Sequence, residues 1–147
     1  MTGHPDCDAA AQKAFKKALP RVAQVIREAA RGKPVEIWFQ DEARIGQNGR
    51  LAYVWARRGT RPRAVQDKRY ASAYLFGAVC PQRGVGAGLV MPRADTEGLN
   101  AHLAEIARSA APGAHAVLIL DGAGWHRSNA LVVPANISLI ALPPYAP

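Results

Sequence analysis

The chain has 147 residues, 49% of them hydrophobic and 20% charged, which is enough to bury the core of one globular domain and excludes a disordered chain. Its 19 lysines and arginines against 11 acidic residues give a net charge of +8, which favours a polyanionic partner such as nucleic acid, generic basicity being the alternative. Cys7 and Cys80 are too few for a disulfide framework, and without an apolar run of membrane-spanning length we expect a cytoplasmic protein with no membrane partner.

The first predicted element is helical. Apolar residues recur at helical spacing over residues 9–31, as one or two amphipathic helices, with Pro20 at a kink or break. Gly32 and Pro34 end the pattern, so we expect residues 1–34 to be a helical linker or the remnant of an N-terminal region. This region is expected mainly to pack, with weak phosphate contacts from its exposed basic residues: Lys13, Lys16, Lys17 and Arg27.

A meander of strands is predicted next. Residues 35–42 (VEIWFQDE) have the β-branched and aromatic content of a strand, with one face formed by Val35, Ile37, Phe39 and Asp41. The turn signal Gln47-Asn48-Gly49 predicts that residues 51–56 (LAYVWA) pair antiparallel with this strand. Residues 72–80 (SAYLFGAVC) and, more weakly, residues 85–91 (VGAGLVM) continue the meander.

A crossover helix then leads to two buried strands. Asp95 or Thr96 is placed to cap a helix whose apolar face is formed by Leu99, Leu103, Ile106 and Ala110. Residues 116–121 (AVLILD) do not alternate, which is typical of a parallel strand buried on both faces, and residues 136–142 (NISLIAL) form another. We therefore predict an α/β fold: a mixed sheet, made of an antiparallel three-strand meander plus parallel strands, with helices on its faces.

Two aspartates end apolar strands, where open α/β sheets place their ligand sites. If the strands that carry Asp41 and Asp121 are neighbours, the carboxylates face one another at roughly 4 to 8 Å, and a shared Mg²⁺ or Mn²⁺ is the simplest relief of their repulsion. The alternative is that each aspartate only caps a turn, since Asp121-Gly122 is also a loop signal. Glu42 is a second choice for the place of Asp41, because strand alternation directs it to the opposite face.

Four segments together resemble one family. WFQDEARIGQNGR, YLFGAVC, LILDGAGWH and ISLIALPPYAP are similar, in this order, to the catalytic domain of bacterial insertion-sequence transposases of the mariner superfamily. The resemblance implies a ribonuclease H-like fold for residues 35–147 and a DDE-type activity, in which three acids and divalent metal ions cleave and transfer DNA strands. Asp41 and Asp121 match the first two acids. Two Mg²⁺ or Mn²⁺ ions would activate a water or a DNA 3′-hydroxyl for attack on a phosphodiester.

The segment after the second acid contains an accessory candidate. His126 matches that segment of the family, where it is a candidate to contact DNA or to orient a water, although a histidine after a turn is more often structural. Trp125 beside it is expected to pack.

The family pattern is incomplete in this chain. No carboxylate follows Asp121, whereas the family supplies its third acid beyond the segment that begins here as LPPYAP. We therefore expect a catalytic domain that is incomplete at its C-terminus, with impaired activity. The alternative is a non-catalytic DNA-binding or interaction remnant that pairs with full-length transposase. A ribonuclease H-like hydrolase acting on RNA shares the fold and the metal chemistry.

The segment RRGTRPRAVQDKR, residues 57–69, is the second predicted contact with DNA. Basic side chains bind phosphates with an affinity that depends on salt and not on sequence, and a solvated loop is the alternative. The candidate residues are Arg57, Arg58, Arg61, Arg63, Lys68 and Arg69. The expected partners are transposon-end and target DNA, together with a second copy of the chain or a full-length transposase.

Overall fold

One five-stranded sheet organises the protein, which a computed structural model describes over residues 9–46, 55–60, 71–122 and 128–143. The elements, in chain order, are α1 (Ala9–Ala30), β1 (Val35–Gly46), β2 (Ser72–Cys80), β3 (Val85–Met91), α2 (Thr96–Ser109), β4 (His115–Leu120) and β5 (Ile137–Ala141). The strand order is β3-β2-β1-β4-β5. The first three strands pair antiparallel, whereas β4 runs parallel to β1 and to β5. The predicted mixed sheet is therefore confirmed.

α1 is one continuous helix that includes Pro20, so the predicted kink or break does not interrupt it. Proline lacks the N–H that would bond to the carbonyl four residues earlier, so the helix continues through Pro20 with one hydrogen bond fewer. Arg31 and Gly32 have φ angles of 50° and 77°, in the left-handed region that ends helices. In the part of the chain that the structure describes, no helix combines the length and apolarity needed to cross a membrane.

One predicted strand pairing is wrong in its described part. β1 extends to Gly46 and pairs antiparallel with β2 from Phe39 onward. Trp55 and Ala56, the end of the predicted strand 51–56, belong to no strand, and Trp55 is fully exposed. The rest of that segment and the turn at 47–49 lie outside the described residues. An apolar run forms a strand only where a sheet edge accepts it, and β2 occupies this edge of β1.

The sheet has two unlike faces, which we call the core face and the acid face. The core face is covered by α2, which begins after the predicted cap Asp95, whose side chain accepts a hydrogen bond from the Gly98 N–H at 2.9 Å. Its centre consists of side chains with no exposed surface: Trp38, Phe76, Leu99, Leu103, Ile106 and Leu118. Their burial supplies most of the hydrophobic stabilisation.

The acid face is the less covered face. It carries the predicted row of β1 that leads to Asp41. Phe39 is 47% exposed and Ile37 is 38% exposed. α1 covers only part of this face, where Leu19, Val22 and Ile26 line an apolar cavity together with residues of β1, β4 and β5: Val35, Ile37, Val117 and Ile140. The row therefore packs against α1 at its start and is open to solvent toward Asp41.

Two buried histidines make the stability depend on pH. Burial lowers the pKa of His102 below its ordinary value of 6.5. Burial also lowers the pKa of His115, and the positive charge of Lys33 adds to this effect. The His102 Nε2 atom donates to the Ala87 carbonyl at 3.3 Å, and the His115 Nε2 atom lies 2.8 Å from the Ser138 hydroxyl. The folded chain thus accommodates both rings in the neutral form.

We expect the free energy of unfolding to decrease as the pH falls from about 6.5 to about 5.5. In that range the histidines of the unfolded chain take up protons that the folded chain does not, so acid favours unfolding and the full stability is present only above about pH 6.5. Urea unfolding at the two ends of this range measures the difference. A chain with both His102→Gln and His115→Gln should show a smaller difference, whereas an unsubstituted chain equally stable at both values would contradict the assignment.

Candidate metal site on the acid face

Asp41 lies within β1 and Asp121 directly follows β4, on two strands that are parallel neighbours. The printed register ends at the pair Phe39 and Ile119, and each aspartate is two residues beyond it. Neighbouring strands lie roughly 5 Å apart and residues two apart share a face, so we expect both carboxylates on the acid face. Both residues are exposed. The prediction that the two strands, β1 and β4, are neighbours is confirmed.

Local structure explains the exposure of each carboxylate. β4 is buried almost throughout, and its last carbonyl, of Leu120, accepts the Leu142 N–H at 2.8 Å, so Asp121 is the first exposed residue after the strand. The Asp41 Oδ1 atom accepts the Glu42 N–H at 2.8 Å, which fixes one carboxylate oxygen. A hydrogen bond to a charged carboxylate is strong, so this one holds the orientation of the Asp41 side chain within β1.

A bare strip of sheet lies beside the acids. In register, Asp41 is opposite Gly77 of β2, which is in turn opposite Gly88 of β3. A Cβ at Gly77 or Gly88 would meet its nearest backbone oxygen at 3.9 Å, an ordinary contact, so the fold itself does not require glycine at either position. The absent side chains leave an open groove on the sheet, with walls that include Phe39, Leu75 and Val79.

The groove was not predicted from the sequence, although a signal was present. Glycines inside the strands YLFGAVC and VGAGLVM weaken a strand and often mark a close approach by another molecule. Their position relative to Asp41 depends on the β1–β2 register, which the mistaken pairing with residues 51–56 concealed.

Glu42, the second-choice ligand, points away from the acid pair. It is half-buried on the core side of β1, where its charge acts on His102 and partly offsets the lowering of the pKa of that ring by burial. Alternation along β1 thus separates Glu42 from Asp41, as predicted.

Gln40 is a buried side chain directly before Asp41. It is 6% exposed, and neither its Oε1 nor its Nε2 atom has a hydrogen-bond partner among the described residues. Unpaired buried polar atoms cost roughly 1–3 kcal/mol each, so this residue weakens the core face behind the acid pair.

We expect Gln40→Met, which keeps the volume and removes the unpaired atoms, to raise the free energy of unfolding by about 1 kcal/mol. Urea unfolding measures the change, and Gln24→Met on the exposed side of α1 is the control, with an expected change within about 0.5 kcal/mol. A loss of stability at position 40 would show that the amide is hydrogen-bonded in solution.

The other predicted site residues are only partly described. Arg57 and Arg58 are exposed, next to a turn in which Thr60 donates its N–H to the Arg57 carbonyl at 3.0 Å. His126 and four of the predicted basic residues lie outside the described residues: Arg61, Arg63, Lys68 and Arg69. Their predicted roles, contact with DNA and for His126 also the orienting of a water, stay predictions.

The chemistry of the acid pair suits a hard divalent cation. Carboxylate oxygens are the protein ligands of Mg²⁺ and Mn²⁺, and magnesium sites commonly use one or two carboxylates completed by water and substrate phosphate. Within residues 9–46, 55–60, 71–122 and 128–143, no group of three or more His, Cys, Asp or Glu side chains forms a metal cage. Two carboxylates on one face therefore fit a site that a substrate phosphate completes.

Comparison with known proteins places the chain in a family. The model of the DDE superfamily endonucleases matches residues 36–147, which is more than half of the chain, so the protein belongs to that family. Its own relatives include the uncharacterized protein y4pE/y4sA of Sinorhizobium fredii, 64% identical over 75 residues that are 51% of this chain and 56% of that protein. The chain thus spans only part of the relatives it matches.

Solved structures show the same fold. The pre-cleavage Mos1 transpososome matches with a TM-score of 0.62 at 12% identity, over 99% of this chain and 47% of the Mos1 chain. The Mos1 strand transfer complex gives 0.60 at 12% identity, over 99% and 45%. The mariner Mos1 paired end complex with Mg gives 0.53 at 13% identity, over 88% and 40%. The predicted ribonuclease H-like fold is confirmed by these matches and the strand order.

Proposed function

We propose that this chain is a catalytic domain of a DDE-type transposase, which cleaves and transfers DNA strands with Mg²⁺ or Mn²⁺ held by Asp41 and Asp121. The observation that supports the proposal is that β1 and β4 are parallel neighbours, with Asp41 and Asp121 each two residues beyond the pair Phe39 and Ile119. The basic segment 57–69 is proposed to contact the DNA backbone.

The arrangement supports an in-line attack on a phosphodiester. A bound divalent cation supplies charge stabilisation to the attacking and leaving oxygens. Asp41 and Asp121 would hold it, and the hydrogen bond from the Glu42 N–H keeps the Asp41 carboxylate aimed toward the acid face. The open groove over Gly77, beside Asp41, would be the approach for the substrate phosphate. The oxygen of a water or a 3′-hydroxyl bonds to phosphorus and loses its proton to solvent, as the bond to the leaving oxygen breaks.

The structural relatives support the same partners. Their descriptions name a transpososome, a strand transfer complex and a paired end complex with Mg, all of Mos1. For this chain we accordingly propose transposon-end and target DNA as partners, bound by an assembly of two copies or by a copy paired with full-length transposase.

A second candidate function is DNA binding without cleavage. It is favoured by the ligand count, since the described residues offer no group of three metal ligands. Such a chain would pair with full-length transposase and reduce its activity. The basic surface would be used in the same way in both cases.

Nicking of supercoiled plasmid in Mn²⁺ separates the two candidates. We expect nicking that Asp121→Asn abolishes and Asp95→Asn leaves unchanged. Asp95→Asn is a suitable control because asparagine also caps helices well, so the same chemical change is made without loss of the α2 cap. DNA binding without Mn²⁺-dependent nicking would support the second candidate, and nicking that persists in Asp121→Asn would contradict the acid-pair site.

A further inference from the structure

The strongest unassigned feature is the charge on the first half of α1. Lys13, Lys16 and Lys17 are exposed, and none of them forms an ion pair or hydrogen bond with another residue in the described part of the chain. The acidic residue of α1 is Glu28, in its last turns, where it accepts a hydrogen bond from Gln24 at 3.1 Å. We call these three side chains the lysine row.

The lysine row is unfavourable for the helix itself. Lys13 and Lys17 are four residues apart, as are Lys17 and Arg21, and like charges at this spacing destabilise a helix by roughly 0.2–0.5 kcal/mol per pair. A merely solvated helix face gains nothing from this arrangement, whereas a bound polyanion relieves the repulsion.

The row also lies toward the acid pair. α1 ends at Ala30, next to the start of β1, and residues 31–34 reverse the chain, so earlier residues of α1 lie nearer the carboxyl end of β1. Leu19 lines the same cavity as Ile37. From there Asp41 is four residues farther along β1, roughly 13 Å, and Lys13 is six residues back along α1, roughly 9 Å in the same direction.

We infer that the lysine row and the acid pair form one surface for DNA, in which the lysines bind backbone phosphates flanking the phosphodiester held at Asp41 and Asp121. The two parts share the acid face, since α1 packs on the side of the sheet to which Asp41 points. Along the strand direction the two parts differ by only roughly 4 Å, about one base pair of duplex. This inference rests on the proposed function for the identity of the acid pair.

The test measures binding of a 30-base-pair duplex by fluorescence anisotropy over a range of NaCl concentrations, without divalent cations and with Asp121→Asn in every chain. Lys13→Gln, Lys16→Gln and Lys17→Gln are combined in one variant. Its matched control combines Arg31→Gln, Lys33→Gln and Arg108→Gln, which removes the same charge outside the lysine row. Circular dichroism confirms that α1 is retained in both.

The lysine variant is expected to bind at least about tenfold more weakly near 0.1 M salt, with the slope of log K against log salt reduced by about 2 to 3. The control should change affinity less than about threefold. Equal losses in both variants would overturn the inference, because net charge alone would explain them. Loss of binding to anionic phosphatidylserine vesicles without loss of DNA binding would overturn it in favour of a membrane surface.

The binding test can contradict this inference whether or not the chain cleaves DNA. Binding in the metal-free Asp121→Asn chain does not depend on catalysis, so absent nicking leaves this result intact. If nicking is present, the lysine variant should need more DNA for half-maximal nicking and keep its rate at saturation. A lower rate at saturation with unchanged DNA dependence would contradict a role in binding.

Discussion

Replacing Glu36 with alanine is expected to lower the free energy of unfolding by about 2 to 4 kcal/mol. Glu36 is 5% exposed, and its carboxylate accepts hydrogen bonds from the Trp38 indole N–H at 3.1 Å and the Ala111 N–H at 3.2 Å. It also pairs with the Arg83 guanidinium at 3.2 Å, and Arg83 in turn donates to the Ser109 carbonyl at 3.0 Å. One side chain thus joins β1, the β2–β3 turn and the end of α2.

The size of this effect follows from the groups left behind. The Trp38 N–H loses its partner in a place without solvent, and an unsatisfied buried donor costs roughly 1–3 kcal/mol. Arg83 contributes less, since about a third of its side chain is exposed and water can replace the carboxylate. Urea unfolding measures the change, for which a decrease of about 4 to 12 °C in Tm is the thermal counterpart.

Glu105→Ala is the control for this experiment. Glu105 forms an ion pair with Arg108 one turn along α2, where the arginine is largely exposed. Pairs of this kind contribute roughly 0–1 kcal/mol, so the control should remain close to the unsubstituted chain. Similar losses at positions 36 and 105 would contradict the assigned role of the Glu36 cluster.

Asparagine at either Asp41 or Asp121 is expected to reduce Mn²⁺-dependent nicking by roughly 10²-fold or more, and the double variant should lose little beyond the single ones. The reason is that two ligands of one ion act as a unit, so that removing either removes the site. Initial rates of nicking for the four chains give the comparison. Losses that multiply in the double variant would indicate two independent contributions.

The substitution at Asp41 should affect activity and thermal stability differently. Asp41 is exposed, and asparagine keeps the oxygen that accepts the Glu42 N–H, so Asp41→Asn should leave the Tm nearly unchanged. A loss of activity together with retained or increased thermal stability separates a ligand from a structural residue. A clear decrease in Tm would mean that the lost activity reflects a damaged fold.

The acid pair could be predicted because its causes are local. Asp41 and Asp121 each follow an apolar run, and the crossover helix α2 favours a parallel strand after it. The register that sets them opposite each other could not be derived in this way. It depends on which residues of β1 and β4 pair, beginning with Val35 and His115, and this pairing is set by the packing of the whole sheet.

The buried polar residues of β1 are a second example. Alternation places Glu36 and Gln40 on the face opposite Ile37, but glutamate and glutamine are usually exposed, so their burial could not be predicted from β1 alone. The elements that cover them, α2 and the β2–β3 turn with Arg83, are distant in sequence. The groove beside Asp41 could not be predicted for the same reason, because Gly77 lies opposite Asp41 only in the β1–β2 register.

Titration calorimetry with Mn²⁺ tests most directly whether Asp41 and Asp121 bind one cation together. The titration is made at low ionic strength in the presence of a short DNA duplex. We predict heat of binding for the unsubstituted chain that disappears in Asp41→Asn and in Asp121→Asn and persists in Asp95→Asn. Absence of Mn²⁺ uptake by the unsubstituted chain, or uptake that survives both substitutions, would contradict the account.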